Sequence, residues 1–127
     1  MATQAETNMW YAREGIKNLA KSMSSQEVID NVLKRDPDSN GVYQLLVIDN
    51  EGKTAGYTGK HNHHFAGYIL DDNFGVAGNT LVGKETLEAV QETYLDTTGD
   101  FGARIIEALQ AGQRAGGDIS GMKSAEM

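Results

Sequence analysis

The sequence predicts a mixed α/β (α+β) domain in which a helix pair, an antiparallel β meander and a second helix pair follow one another. Three observations carry this reading. Apolar residues recur at helical spacing in the stretches around Ile16 to Leu33 and Leu87 to Leu109. Between Val42 and Gly78 the chain turns to β-branched and aromatic residues interrupted by turn-forming clusters. With 127 residues there is material for one hydrophobic core and not for two, so residues 1–127 are read as a single domain.

The first helix is expected near Tyr11 to Ser22, with Ile16, Leu19, Ala20 and Met23 forming the i, i+3, i+4, i+7 stripe. Ser24 stands three residues before Glu27, the reciprocal capping-box spacing, so a second helix starts there. Its stripe is Val28, Ile29, Val32 and Leu33, and it ends before Asp36-Pro37, because proline disfavours helical geometry in its predecessor. Val42 to Asp49 and Lys53 to Thr58 form a hairpin around Asn50-Glu51-Gly52. Strands near Phe65 to Leu70 and Phe74 to Gly78 flank Asp71-Asp72-Asn73. Helical period returns at Lys84 with Leu87, Val90 and Tyr94, stops near Gly99, and resumes with Phe101, Ile105, Ala108 and Leu109. The glycine-rich end, Gly116 to Met127, is expected as loop.

Composition narrows the partners. Eleven Lys and Arg against eighteen Asp and Glu give a net charge of -7, so no general positive field gathers phosphates, and nucleic acid and acidic membrane are poor partners. The longest strongly apolar run, Leu45 to Ile48, is far below the ~18 residues of a membrane span. The absence of cysteine excludes disulfides, thiolate nucleophiles and cysteine-bound metal. Met1 to Glu6 lacks the basic and apolar segments of a secretion signal, and a cytoplasmic location is expected. No cofactor is called for by any motif.

Three constellations could carry chemistry. All three histidines sit in His61-Asn62-His63-His64; imidazoles suit zinc, copper or nickel, and His61 and His63 would share one face of an extended segment. A catalytic zinc needs three protein ligands and no further motif is spaced to help, so a solvated loop is the weightier reading of His61, His63 and His64. Gly78-Asn79-Thr80-Leu81-Val82-Gly83 reads as a strand exit entering a helix, where backbone N–H groups could hold an anion and the Asn79 amide could donate to it. Glycine turn geometry with local capping by Asn79 is the plainer account. Ala115-Gly116-Gly117-Asp118 ends the last helix; C-capping explains its glycines and leaves Asp118 as a ligand, an orienting carboxylate or a surface turn residue.

A set of residues spread along the chain resembles a known family. Ala2-Thr3-Gln4-Ala5, Asn8, Tyr11, Gly15, Gln44 to Asp49, Gly52, Thr58-Gly59, Ala66-Gly67, Gly78-Asn79, Leu81, Gly83, Ala115 to Asp118, Gly121 and Ser124-Ala125 occur in the order and spacing of the domain-of-unknown-function family numbered 1028. Members of that family resemble N-terminal-nucleophile (Ntn) hydrolases. The resemblance implies a four-layer αββα sandwich with two antiparallel sheets face to face and helices outside. It also implies a nucleophile on the first residue, whose α-amino group serves as base.

Here the resemblance begins inside the family domain. The opening strands and a terminal nucleophile have no counterpart before Met1, Thr3 matches an internal position, and the match stops at Ser124-Ala125, where members continue into further strands. The expectation is therefore an incomplete Ntn-type sandwich, shortened at both ends and without amide-hydrolase activity of its own. Departures from the pattern are Phe65 for Trp and Ala77 for Gln. Unpaired strand edges lead to the expectation of a homo-oligomer. The alternatives are a non-enzymatic module holding a small-molecule ligand near Asn79 and Asp118, and a metal-dependent hydrolase using His61, His63 and His64.

Overall fold

In the computed structural model, residues 1–36 and 41–122 are described. Strand β1 (Ala2–Ala5) leads into helices α1 (Met9–Leu19) and α2 (Ser25–Lys34). Strands β2 (Tyr43–Ile48), β3 (Thr54–Thr58), β4 (Phe65–Asp71) and β5 (Phe74–Leu81) follow, then helices α3 (Glu85–Asp96) and α4 (Phe101–Arg114).

Helix α1 starts where the Asn8 side chain accepts the Trp10 N–H at 2.9 Å. Its buried face is Tyr11, Gly15 and Asn18; of the expected stripe Leu19 and Met23 pack against the core, whereas Ala20 is exposed and Ile16 is 60% exposed. Two contacts turn the helix. The Tyr11 hydroxyl donates to Asp36 at 2.5 Å, and Gly15 gives Met1 room, because a Cβ there would sit 2.0 Å from the Met1 sulfur. Helix α2 opens with the expected capping box: Ser24 N–H donates to Glu27 Oε2 at 2.8 Å and Ser24 Oγ accepts the Glu27 N–H. Pro37 of its expected stop lies outside the described residues.

The strands do not form one meander. β1, β2 and β3 make a first antiparallel sheet in that order, and β4 pairs antiparallel with β5 in a second. The chain changes layer after β3, where Gly59 lies against the Gly41 backbone so closely that a Cβ would stand 2.1 Å from the Gly41 carbonyl oxygen. β1, which periodicity does not predict, is a four-residue strand whose register aligns Gln4 with Gln44.

Alternation along β2 divides its side chains between layers. Leu45 and Val47 face α1 and α2, in clusters with Tyr11 and Val32 and with Val28, Ile29 and Ala55. Gln44 and Leu46 face the second sheet: Gln44 bonds to its strands, and Leu46 fills the space beside Gly75. On the far side α3 packs on β4 and β5, and α4 packs on α3. Phe74 of β5 stacks on Tyr94 of α3 (4.5 Å, 6°), and the Arg104 guanidinium of α4 covers the Tyr94 ring at 4.2 Å. The layers thus run helices, sheet, sheet, helices, an αββα arrangement. Among the described residues no helix is long and apolar enough to cross a membrane.

Candidate functional site

Gln44 is fully buried although polar, and its amide joins both sheets. Its Nε2 lies 2.9 Å from Thr58 Oγ1, 3.0 Å from the Gly67 carbonyl and 2.9 Å from the Gly78 carbonyl, two N–H groups shared among three acceptors. Its Oε1 accepts from Gln4 Nε2 at 2.6 Å and from Asn79 Nδ2 at 3.2 Å. Asn79 Oδ1 in turn accepts from the Thr80 hydroxyl at 2.9 Å. The Asn79 side chain is therefore fixed at both ends, with one amide N–H and one carbonyl lone pair left over.

Asn79 and Thr80 border a polar hollow of about 280 Å³ at the end of the sandwich. Ala5 and Glu6 enter it from the end of β1, and Val42 from the start of β2. The β3–β4 loop adds His61, Asn62 and His63. Bonds to backbone carbonyls hold that loop: His61 N–H donates to Gly41 at 2.8 Å and the side-chain Asn62 Nδ2 to Gly59 at 2.8 Å. Left-handed backbone occurs at two of the lining residues, Ala5 at φ 68° and Thr80 at φ 58°, and just beyond the hollow at His64, φ 57°. For a β-branched residue such as Thr80 that conformation is strained, and strain of this kind gathers at functional sites. A larger hollow of about 460 Å³ near Phe74, Tyr94 and Phe101 is apolar and carries no such chemistry.

The structure corrects the context of Asn79. Gly78 to Leu81 belong to β5 and α3 begins only at Glu85, so Asn79 neither caps a helix nor sits at a helix N-terminus. Asn79, His61 and His63 are brought together at the hollow, while His64 is not among its lining residues. Among the described residues no three histidine or acidic side chains are grouped to hold a metal ion. Asp118 forms an antiparallel bridge with Leu81, two residues beyond Asn79, and its Oδ1 accepts the Ser120 N–H at 2.7 Å and the Ser120 hydroxyl at 2.5 Å. Sequence reasoning misses Gln44, Gln4, Glu6 and Thr80 as site residues. The one available signal was Gln44 itself, a polar residue inside the apolar run Tyr43 to Ile48.

A family model described as "Family of unknown function (DUF1028)" matches residues 1–127. The chain belongs to DUF1028. No curated protein matches this DUF1028 chain closely enough to count as a relative. Among solved structures it is similar to the crystal structure of protein SPO2555 from Silicibacter pomeroyi, whose description also carries DUF1028. The two are 23% identical with a TM-score of 0.83, over 91% of this chain and 52% of that one, so this DUF1028 chain spans about half the length of its solved neighbour and shares its fold.

Proposed function

We propose that this DUF1028 chain is a sandwich of the Ntn-hydrolase type that binds a small polar ligand in the hollow at Asn79. The observation that carries the reading is the pinned Asn79 amide: Gln44 and Thr80 orient it, and its spare donor and acceptor border a hollow that His61, His63 and Glu6 also line. Such a set suits a compact ligand with both a donor and an acceptor, as a primary amide or an amino acid has. Binding, not hydrolysis, is the function assigned. The Thr80 hydroxyl donates to an amide oxygen, which cannot take its proton as a general base does.

The test is an NMR titration of the 15N-labelled chain with glutamine, asparagine, acetamide and the common amino acids. Saturable shifts at Asn79, Thr80 and His61 are expected, lost in Asn79→Leu and kept in Asp118→Asn. Flat titrations across the panel, or shifts equally strong in Asn79→Leu, would overturn the reading. Ammonia release from glutamine by the purified chain would replace binding with turnover.

A homo-oligomer is the companion proposal, favoured by Ile106 and Leu109, which lie three residues apart on α4 and are 44% and 47% exposed. Light scattering decides it: a monomer at all concentrations refutes it.

A further inference from the structure

A bulge in the second sheet decides which side chains reach the polar hollow. Phe65 pairs with Leu81 and Gly67 with Gly78, so Asn79 and Thr80 of β5 together oppose Ala66 of β4. In a regular strand neighbouring side chains point to opposite faces. The extra residue and the left-handed backbone of Thr80 break that alternation, and Asn79 and Thr80 line the same hollow with their side chains bonded to each other.

The direction of each bond leading to that pair is fixed from its buried end. The Gly67 and Gly78 carbonyls can only accept, so the Gln44 amide turns its nitrogen to them and its oxygen away. That oxygen can only accept, so Asn79 meets it with Nδ2 and carries Oδ1 on the other side. Asn79 Oδ1 accepts in its turn, and the Thr80 hydroxyl gives it its one hydrogen. Thr80 Oγ1 is left with lone pairs alone. A ligand in the hollow therefore meets an N–H at Asn79 Nδ2 and an acceptor at Thr80 Oγ1. The nitrogen and oxygen of an amide stand about 2.3 Å apart, and Thr80 Oγ1 is 2.9 Å from the Asn79 oxygen, so this donor and this acceptor lie within about 5 Å of each other.

Charge completes the pattern. Among the residues lining the hollow Glu6 is the one carboxylate, and the other ionisable ones, His61 and His63, are imidazoles. Glu6 takes part in none of the ion pairs of the described residues. The net charge of -7 adds a field that draws cations.

We propose that the hollow selects an α-amino acid or its amide by the ammonium group, which donates to Thr80 Oγ1 and faces the Glu6 carboxylate, while Asn79 Nδ2 donates to the adjacent carbonyl or carboxylate oxygen. The proposal rests on the reading of the hollow as a ligand site and names what that ligand must carry. A neutral amide without the amino group satisfies Asn79 and brings no donor to Thr80 or Glu6.

Three probes that differ in one group test it: L-alaninamide carries the ammonium, lactamide a hydroxyl in its place, and propionamide neither. They are titrated into the 15N-labelled chain at pH 7, where an α-amino group is mostly protonated. Alaninamide should bind about tenfold or more tightly than propionamide, the effect of one charge-assisted hydrogen bond, with lactamide between them. Glu6→Gln should remove the advantage of alaninamide over lactamide and leave propionamide unchanged. Thr80→Val, which lacks the acceptor, should remove the advantage of lactamide over propionamide. Glu6 is exposed, so its replacement keeps the fold, and unshifted resonances away from the hollow verify this. Propionamide binding as tightly as alaninamide, or a preference for alaninamide untouched by Glu6→Gln, would overturn the proposal and leave the hollow a ligand site. No saturable shift at Asn79 and Thr80 with any of the three probes would remove the ligand site and this proposal together.

Discussion

Asn79 Nδ2 and Gln44 Oε1 meet at 3.2 Å across the space between the two sheets, the link that joins the candidate site to the buried centre of the molecule. Removing the Gln44 amide leaves the Gly67 and Gly78 carbonyls and the Gln4 and Asn79 amides without their partner. Gln44→Ala is therefore expected to cost about 2–4 kcal/mol in urea unfolding. Gln44→Met, which restores bulk without polarity, should recover only a minor part; full recovery would show that the amide matters for volume alone.

Gly59 and Gly41 set the loop that carries His61 and His63. A methyl group at Gly59 would collide with backbone, which cannot swing aside as a side-chain tip can. Gly59→Ala is expected to destabilise by about 2 kcal/mol or more and to shift the His61 and His63 resonances. An unchanged melting curve would contradict the close approach.

Thr80 holds left-handed backbone while its hydroxyl serves Asn79. Thr80→Ser keeps the donor and removes the branching methyl, so a gain of about 0.5 kcal/mol is expected with ligand binding retained. A loss of stability would mean that the methyl group packs more favourably than the backbone strain costs.

Asp49 ties the β2–β3 turn to the start of α2. Its carboxyl is held below the usual carboxylate range first by the Ser25 N–H at 3.0 Å, with help from the Glu51 and Lys53 N–H groups, against partial desolvation. With the folded pKa depressed, Asp49 stabilises the fold at pH values above its unfolded pKa, and that contribution is lost as pH falls through the folded one. Asp49→Asn should accordingly be less stable than the parent at pH 7, and the gap between their urea midpoints should close below the usual carboxylate range. A gap independent of pH would refute the ionic origin.

Much of the fold was legible because its signals are local. The Ser24–Glu27 box, the stripe Val28, Ile29, Val32 and the turn at Asn50 to Gly52 each act within a few residues, and each is present. The division into two sheets was not legible from periodicity, because a hairpin reads the same whichever sheet receives it; the family resemblance supplied the sandwich. β1 is too short and too weakly apolar to announce itself, and Ile16 misled because Tyr11 and Gly15 outweigh it in setting the face of α1. Of the site, Asn79 and the histidines were visible as polar residues among glycines and turns. Gln44 was hidden, since a buried amide serving five partners from four other strands looks on paper like one surface residue in an alternating strand.

The two helical layers are unequally anchored. α1 and α2 close over two clusters of fully buried side chains, whereas α3 and α4 contribute Leu87, Ala108 and Ala111 and leave Leu95, Phe101 and Leu109 largely in solvent. Native-state hydrogen exchange should therefore find a hierarchy, with slow amides in α2, β2 and β3 and faster ones in α4. The half of the molecule that opens first lines the larger apolar hollow through Tyr94, Phe101 and Ile105, so α4 can lift while the sheet that holds Gln44 stays closed.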